Sequence, residues 1–430
     1  MVIDLEVRGL SDDNFKLTDA SGNRIAAQRI RSEATVNGQS RLLFVAKLPS
    51  MGYEVFRLYL SVEDAPRFAH VKVTDNMIEN ERFRISFDEA TGYMASLYDR
   101  QSDLEVLRRE GARLTVLEDL SDTWSHNIFK FDKQLGDMKA VSRTVLEDGP
   151  VRSAIRIRYK YNTSCVVQDF RLYSELDYME VRVRVDWREP QTILKIKYPV
   201  NLNFRKPTYE IPYGYIEKSA NGEEEPGQTW FDFSGEHFQK GEMYGLAIAN
   251  DAKYSYSFDV DEMNLTVLKN SVYAHHDPKK LEEGVEYEFV DDGIQEFTYL
   301  LLPHTGGWKD SAIVKHAREL NQKPVTVIET YHKGNLPARN SYLSLKNAVK
   351  DLDLETESDN VVISAMKEAE DRDGVIVRAY ETKRQGSQVM LKVPFLNREV
   401  PLSFAPCEIK TVKIPYDHSA PVAEVNLLEM

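Results

Sequence analysis

Cysteine is almost missing from this chain. Only Cys165 and Cys407 occur in 430 residues, far apart and at no metal-type spacing, so a disulfide framework is not indicated. Such bonds are also rare in reducing compartments. No apolar run is long enough to cross a bilayer. The N-terminus has neither the basic start nor the apolar stretch of a secretory signal, so the cytoplasm is the expected location. Positive charge is short as well: 55 Lys and Arg face 69 Asp and Glu, a net charge of -14. That balance argues against nucleic acid, whose phosphates need a basic face. It argues equally against an anionic membrane surface. Uncharged ligands remain open. The sequence holds no glycine-rich phosphate loop, no nucleophile elbow and no strong zinc spacing.

What the chain does have is strands. At 430 residues it is too long for one ordinary core, and two or three domains are expected. Residues 2–8 (VIDLEVR) read as a strand at once, followed by 42–48 and 53–60, with Pro49, Ser50 and Gly52 as the turn between the last two. From Val71 a long meander follows: 83–87, 95–98, 113–117, 151–159, 164–173 and 179–187. Val181, Val183 and Val185 alternate with Arg182, Arg184 and Asp186. That two-residue period marks a strand with one buried and one wet face, as in antiparallel sheets. Many strands at regular spacing argue for a β-sandwich. One helix is expected near 310–321, capped by Asp310 or Ser311, with Ala312, Ile313, Ala317 and Leu320 on one face and Pro324 closing it. A linker with Gly334 and Pro337 leads to strands at 361–366, 375–380, 388–393 and 408–414. The reading is mainly β: residues 1–70 a β-rich N-terminal segment, 71–330 a large antiparallel β-sandwich, and 331–430 a small C-terminal β-sandwich.

Residues 265–308 carry the polar loop of greatest interest. Leu265, Val267 and Val272 alternate outward, Phe297, Tyr299 and Leu301 alternate on the return, and His275, His276, Asp277 and Pro278 sit between. Polar groups on a loop held by two strands suggest a site rather than a core. Zinc takes His and carboxylate ligands. Adjacent residues of an extended segment point to opposite faces, so His275 and Asp277 share a side that His276 does not. No further ligand is evident nearby, and a polar histidine loop without metal is the commoner outcome. A second polar loop, SDTWSHN, holds Asp122, Trp124, His126 and Asn127. The Trp124 indole could stack on a flat ring face or could anchor the loop on the sandwich. Glu210 and Glu217 could be proposed as a carboxyl pair, but nothing in the sequence places them face to face. Residues 223–225, ahead of Pro226, read as a solvated turn, and His304 and Trp308 as the joint between sandwich and helix. Taken from the residues alone, this is a multi-domain β-protein with a polar loop surface and no fixed activity.

Several motifs in order add a resemblance. They are FDEATGYMASLYD (87–99), LSDTWSHN (120–127), VRVDWRE (183–189), YEIPYGYIEK (209–218), EEPGQTWFD (224–232), YGLAIANDAKYSY (244–256), SVYAHHDP (271–278), EFTYLLLPH (296–304) and SAMKEAEDRDGVIVRAYE (364–381). Together they resemble the C-terminal, all-β half of bacterial-type α-mannosidases of glycoside hydrolase family 38, over nearly the whole chain. The resemblance implies a galactose-mutarotase-like supersandwich flanked by smaller β-sandwiches. It implies a retaining glycosidase whose aspartate nucleophile, acid and zinc ligands lie in a preceding (β/α) domain absent from this chain. The chain alone is then expected to be inactive, without catalytic or metal residues of its own, and zinc is expected in the missing domain.

In the family a His-His-Asp motif of the helical bundle supplies a zinc ligand. Here His275-His276-Asp277 is followed by Pro278-Lys279-Lys280 and preceded by the β-type SVYA, so the zinc role is not carried over. SDTWSHN also departs from the Trp-Asp-Ala-Trp form of other branches. Because loops of the large β-domain reach the cleft rim in the family, Trp124, His126, Lys269, His275, His276 and Asp277 are the expected substrate-binding rim. The expected partners are an α-mannoside and the missing catalytic domain, with oligomerisation open. Two other readings stand beside this one: a free-standing carbohydrate-binding protein, and a mutarotase-like sugar isomerase.

Overall fold

The computed structural model describes the chain apart from residues 33–37, 64, 204–205, 276–280 and 348–355. Strands hold 52% of the residues and helices 4%, far from the ordinary balance. The two largest sheets are antiparallel. One has nine strands, in the order Lys139–Glu147, Arg152–Tyr161, Ser164–Tyr173, Met179–Trp187, Gly293–Thr305, Met243–Asn250, Trp230–Glu236, Thr208–Ile211 and Gly214–Glu217. The other has six: Gln134–Asp137, Arg113–Glu118, Thr192–Pro199, Glu262–Asn270, Ser255–Asp259 and Glu225–Pro226.

The two-residue period decides which face goes inside. Val181, Val183 and Val185 enter the core shared by the two sheets, with Phe170, Phe231 and Phe233 beside them and Leu194, Ile196 and Leu265 opposite. On the outer face Arg182 and Arg184 meet Glu296 of the next strand. That core is the main driving force, since burying each such side chain is worth about 1.5–3 kcal/mol.

The outer face of the nine-stranded sheet is covered in turn. Trp230, Ala247, Ala249, Leu300 and Leu302 pack under Trp308, Ile313, Ala317 and Leu320, with Leu43 and Ile30 of the N-terminal segment at the edge. Gln28 fixes that edge: its side-chain oxygen accepts from the backbone N–H groups of Val151 and Arg152 at 3.2 and 2.9 Å. The N-terminal segment and residues 343–414 each have an apolar cluster of their own.

Three expectations are corrected. Residues 53–60 are not one strand. The chain breaks at Val55 and Phe56 into Gly52–Glu54, which pairs with Arg339–Ser341, and Arg57–Tyr59, which pairs with Lys16–Thr18. The Val55 N–H is diverted to the carbonyl of Ala338, 2.8 Å away. The helix starts later than expected. Trp308–Asp310 forms a 3₁₀ turn, Ala312 takes the cap position, and the α-helix runs Ile313–Asn321. Ser311 still contributes, accepting from the Ile313 N–H at 3.3 Å.

Glu224, in the expected solvated turn, is largely buried and ion-paired with Lys195. It also accepts from Ser255 and Thr266, each at 2.8 Å. A buried ammonium needs a countercharge, and Lys195 lies almost wholly inside.

An ionic triad ties the helix to the sandwich. His316 is buried, with Nε2 2.9 Å from Asp177 and Nδ1 3.3 Å from Glu319. Burial works against its charge, but the hydrogen bonds to Asp177 and Glu319 outweigh it and hold its pKa above the ordinary value. Burial likewise acts to raise Asp177 and Glu319, yet His316 keeps both below the usual carboxylate range. The His316 contribution is complete below its unfolded pKa of about 6.5 and is lost as pH rises through the higher folded value. The carboxylate contributions are lost at the acid end, as pH falls through their lowered values. The thermal midpoint should therefore drop as pH is raised from about 6 towards 9, and His316→Gln should flatten that limb. An unchanged slope in the variant would refute the triad as its source. In the core, Phe170 packs on Phe87 at 4.7 Å between ring centroids. Phe170→Ala should lower unfolding free energy by about 3–5 kcal/mol in urea titration, and a loss under about 1 kcal/mol would contradict the packing described.

Candidate functional site: two loops joined at one end of the sandwich

Residues 119–129 follow the strand Arg113–Glu118, and residues 271–275 and 281–290 follow the strand Glu262–Asn270. These strands flank Thr192–Pro199 in the six-stranded sheet, so both loops emerge close together. They then bond to each other. Asp122 and Val272 form a parallel bridge, the Thr123 N–H donates to the Val272 carbonyl, and the Ala274 N–H donates to Thr123 Oγ1 at 3.1 Å. On its other side the second loop pairs Val272 with Phe289.

A buried charge pair fastens the first loop. The Asp119 carboxylate, closed to solvent, lies 3.0 Å from Lys269 Nζ. Lys269 also donates to the Asp122 carbonyl at 2.6 Å and to Ser271 Oγ at 2.9 Å. Two of the three donors of this ammonium are thus used on the loops, and its charge faces Asp119 Oδ2, which has no hydrogen-bond partner among the described residues. Asp119 further accepts from the Ser121 N–H and hydroxyl. Asp122 accepts from the Trp124 N–H at 2.8 Å, while its Oδ2 has no hydrogen-bond partner among the described residues.

The exposed side of the pair is aromatic. Trp124 is 62% exposed, Phe129 65% and Tyr273 64%. Trp124 therefore does not anchor the loop in the core. The His126 ring stands edge-on to it at 6.3 Å, and the His275 ring edge-on to Tyr287 at 5.6 Å. Ser125, Asn127 and Ala274 all take positive φ, at 48°, 61° and 41°. For residues with a Cβ such conformations cost of order 1–3 kcal/mol and persist where the surroundings enforce them. The surface thus offers flat apolar rings and imidazole edges, a set suited to stacking on a polyhydroxylated ring, while the orphan Asp122 oxygen lies buried beneath it.

Of the six rim residues expected from sequence, Trp124, His126 and His275 lie on these two joined loops, and Lys269 lies in the strand Glu262–Asn270 beneath them. Lys269 braces the loop and reaches outward little. His276 and Asp277 lie outside the described residues. Among the described residues no group of three or more His, Cys, Asp or Glu can hold a metal ion. The carboxyl pair considered from sequence is not assembled as such. Glu210 is mostly buried and accepts from the Thr229 N–H and hydroxyl at 2.6 and 2.5 Å, with burial raising its pKa. Glu217 is exposed on the paired strand. His304 is a buried partner of Asp232 at 2.7 Å, and Trp308 packs on Trp230 and Tyr215. Sequence reading missed Asp119, Phe129 and Tyr273. Their roles rest on burial and exposure, which spacing does not report.

A mainly β scaffold of two large sheets with a loop-built polar and aromatic end defines the class. Residues 78–279 match the Glycosyl hydrolases family 38 C-terminal domain, and residues 360–430 match the family 38 C-terminal beta sandwich domain. The chain belongs to glycosyl hydrolase family 38 and carries these two C-terminal modules. It is 23% identical over 333 residues to Alpha-mannosidase G of Dictyostelium discoideum, covering 72% of this chain and 27% of that protein. It is 26% identical over 308 residues to Alpha-mannosidase 2C1 of Homo sapiens, covering 66% and 27%. The chain thus spans about a quarter of these relatives. Two Enterococcus faecalis structures share the fold. A glycosyl hydrolase family 38 protein has a TM-score of 0.73 at 14% identity, covering 96% of this chain and 56% of that one. An alpha-mannosidase has 0.71 at 12%, covering 96% and 54%.

Removing the Lys269 brace should free the aromatic loop. Lys269→Met leaves the Asp119 carboxylate buried without its countercharge, at a cost of about 3 kcal/mol. Trp124 fluorescence anisotropy should fall with it. Unchanged stability and anisotropy would show that the pair does not hold the loop.

Proposed function

We propose that this chain is the C-terminal β portion of a retaining α-mannosidase. In this reading the joined loops 119–129 and 271–290 form part of the substrate-cleft rim. The observation that carries it is the Asp122–Val272 bridge, which gathers Trp124, His126 and His275 at one end of the sandwich. The α-mannosidase names of the relatives support the substrate class.

Retaining hydrolysis needs a nucleophilic carboxylate and a carboxylic acid on either side of the glycosidic bond. Both belong to the catalytic domain outside this chain, as does the zinc that orients sugar hydroxyls there. What this chain supplies is orientation: an indole face for the sugar ring, imidazole edges for its hydroxyls, and loops that narrow access of water. The chain alone is inactive, and the complete protein acts in the cytoplasm. Among the described residues no helix is long and apolar enough to cross a membrane.

The purified chain should give no hydrolysis of a chromogenic α-mannoside above blank, with added zinc or with chelator. Adding the family 38 catalytic portion from the same source should produce hydrolysis. Trp124→Ala should then raise KM roughly fivefold, the equivalent of about 1 kcal/mol of stacking. Zinc-dependent turnover by the chain alone, abolished by His275→Ala and Asp277→Ala, would overturn the proposal.

A further inference from the structure

Between the helix and the C-terminal sandwich runs a strap, residues 325–336, whose chemistry does not suit an ordinary linker. Its sequence, VTVIETYHKGNL, is rich in β-branched residues that favour extended chain. Linkers meant for solvent are built from glycine, serine, proline or charge. This one turns its large apolar side chains outward. Val325 is 92% exposed and Tyr331 91%, and Val327, Ile328 and Leu336 are exposed as well. No backbone or side-chain group of residues 325–336 hydrogen-bonds to another described residue.

Both ends of the strap are nevertheless fixed. At the start it follows directly on the helix Ile313–Asn321. Pro324 and Thr326 line a cavity of about 470 Å³ with Val2 and Asp4. At the far end Tyr53 donates its hydroxyl proton to the Pro337 carbonyl at 2.9 Å, Val55 donates to Ala338, and Arg339–Ser341 pairs with Gly52–Glu54. A tethered segment with free N–H and C=O groups and β-branched side chains can serve as a template for an added strand. The outward apolar residues would supply the side-chain contacts. Large apolar side chains exposed together on one short segment mark an interaction surface.

We propose that residues 325–336 are a docking strip for the catalytic portion of the same family 38 protein, which meets the strap by strand addition or by an apolar ridge. The inference rests on the reading above and adds the face by which the two portions join. Two observations choose this occupant over a second copy. The fold shared with the Enterococcus faecalis structures takes up 96% of this chain but only 56% and 54% of theirs, so nearly half of each lies beyond the shared part. A strap of twelve residues is also narrow for a stable dimer, which needs about 20–30 residues on each side.

Hydrogen–deuterium exchange on the full chain, with and without the separately produced catalytic portion, tests this together with sedimentation and α-mannoside hydrolysis. The strap amides should exchange freely in the chain alone. In the complex they should slow by at least tenfold, and Val327→Asp with Tyr331→Asp should weaken assembly more than tenfold. These positions are exposed, and circular dichroism will show the variant folded. If the complex forms and hydrolyses substrate while the strap exchanges freely and the variant assembles normally, the docking strip is wrong and the functional reading stands. If no complex forms and no hydrolysis appears, the functional reading falls and the strip with it. If the strap is already protected in the chain alone and the sedimenting mass is doubled, a second copy occupies it and the proposal is overturned.

Discussion

Val181, Val183 and Val185 lie wholly out of solvent between a nine-stranded and a six-stranded sheet. Their strand is held on one side by Ser164–Tyr173 and on the other by Gly293–Thr305. A slip of one residue in that register would send three valines to water and Arg182 and Arg184 into the core. The remaining layers depend on this choice. It turns Leu300 and Leu302 outward, where the helix covers them, and it fixes the ends from which the loops emerge.

Charge is used inside this protein as bracing. Lys195 with Glu224, Lys269 with Asp119, and His316 between Asp177 and Glu319 each join segments far apart in sequence. Buried ion pairs add little net stability over apolar residues of the same volume. Their geometry is exacting, however, and each fixes one arrangement. At the loop end this matters most. Without the pair beneath it, an exposed tryptophan on a loop with positive φ at Ser125 and Asn127 would have many orientations. Rigid presentation is what a rim needs if it is to orient a ligand rather than adapt to it.

The exposed aromatic loops and the exposed strap are two expressions of one condition. Apolar side chains on fixed backbone carry a free-energy cost until something covers them. Family 38 relatives are about four times longer than the part matched here.

The fold was legible because burial in antiparallel sheets writes itself as a two-residue period. The strands Phe83–Phe87, Ser164–Tyr173 and Met179–Trp187 have the bounds that alternation gives. Ordered motifs indicated the family in the same way. The loops were legible in part. Trp124, His126 and His275 stand out by composition, but that residues 122 and 272 meet is a fact of strand order across the sheet.

The misread Glu224 shows the limit. Three adjacent glutamates before a proline look solvated, and only a lysine 29 residues away in sequence makes one of them internal. Val55, where a strand breaks, is decided by a carbonyl nearly three hundred residues on. Sequence by itself determined the period, the sign of the charge, the absence of a disulfide framework and the family. Tertiary structure alone decided which polar groups are braces, which aromatics are bare and which loops touch, because burial and long-range pairing exist only once the sheets have closed.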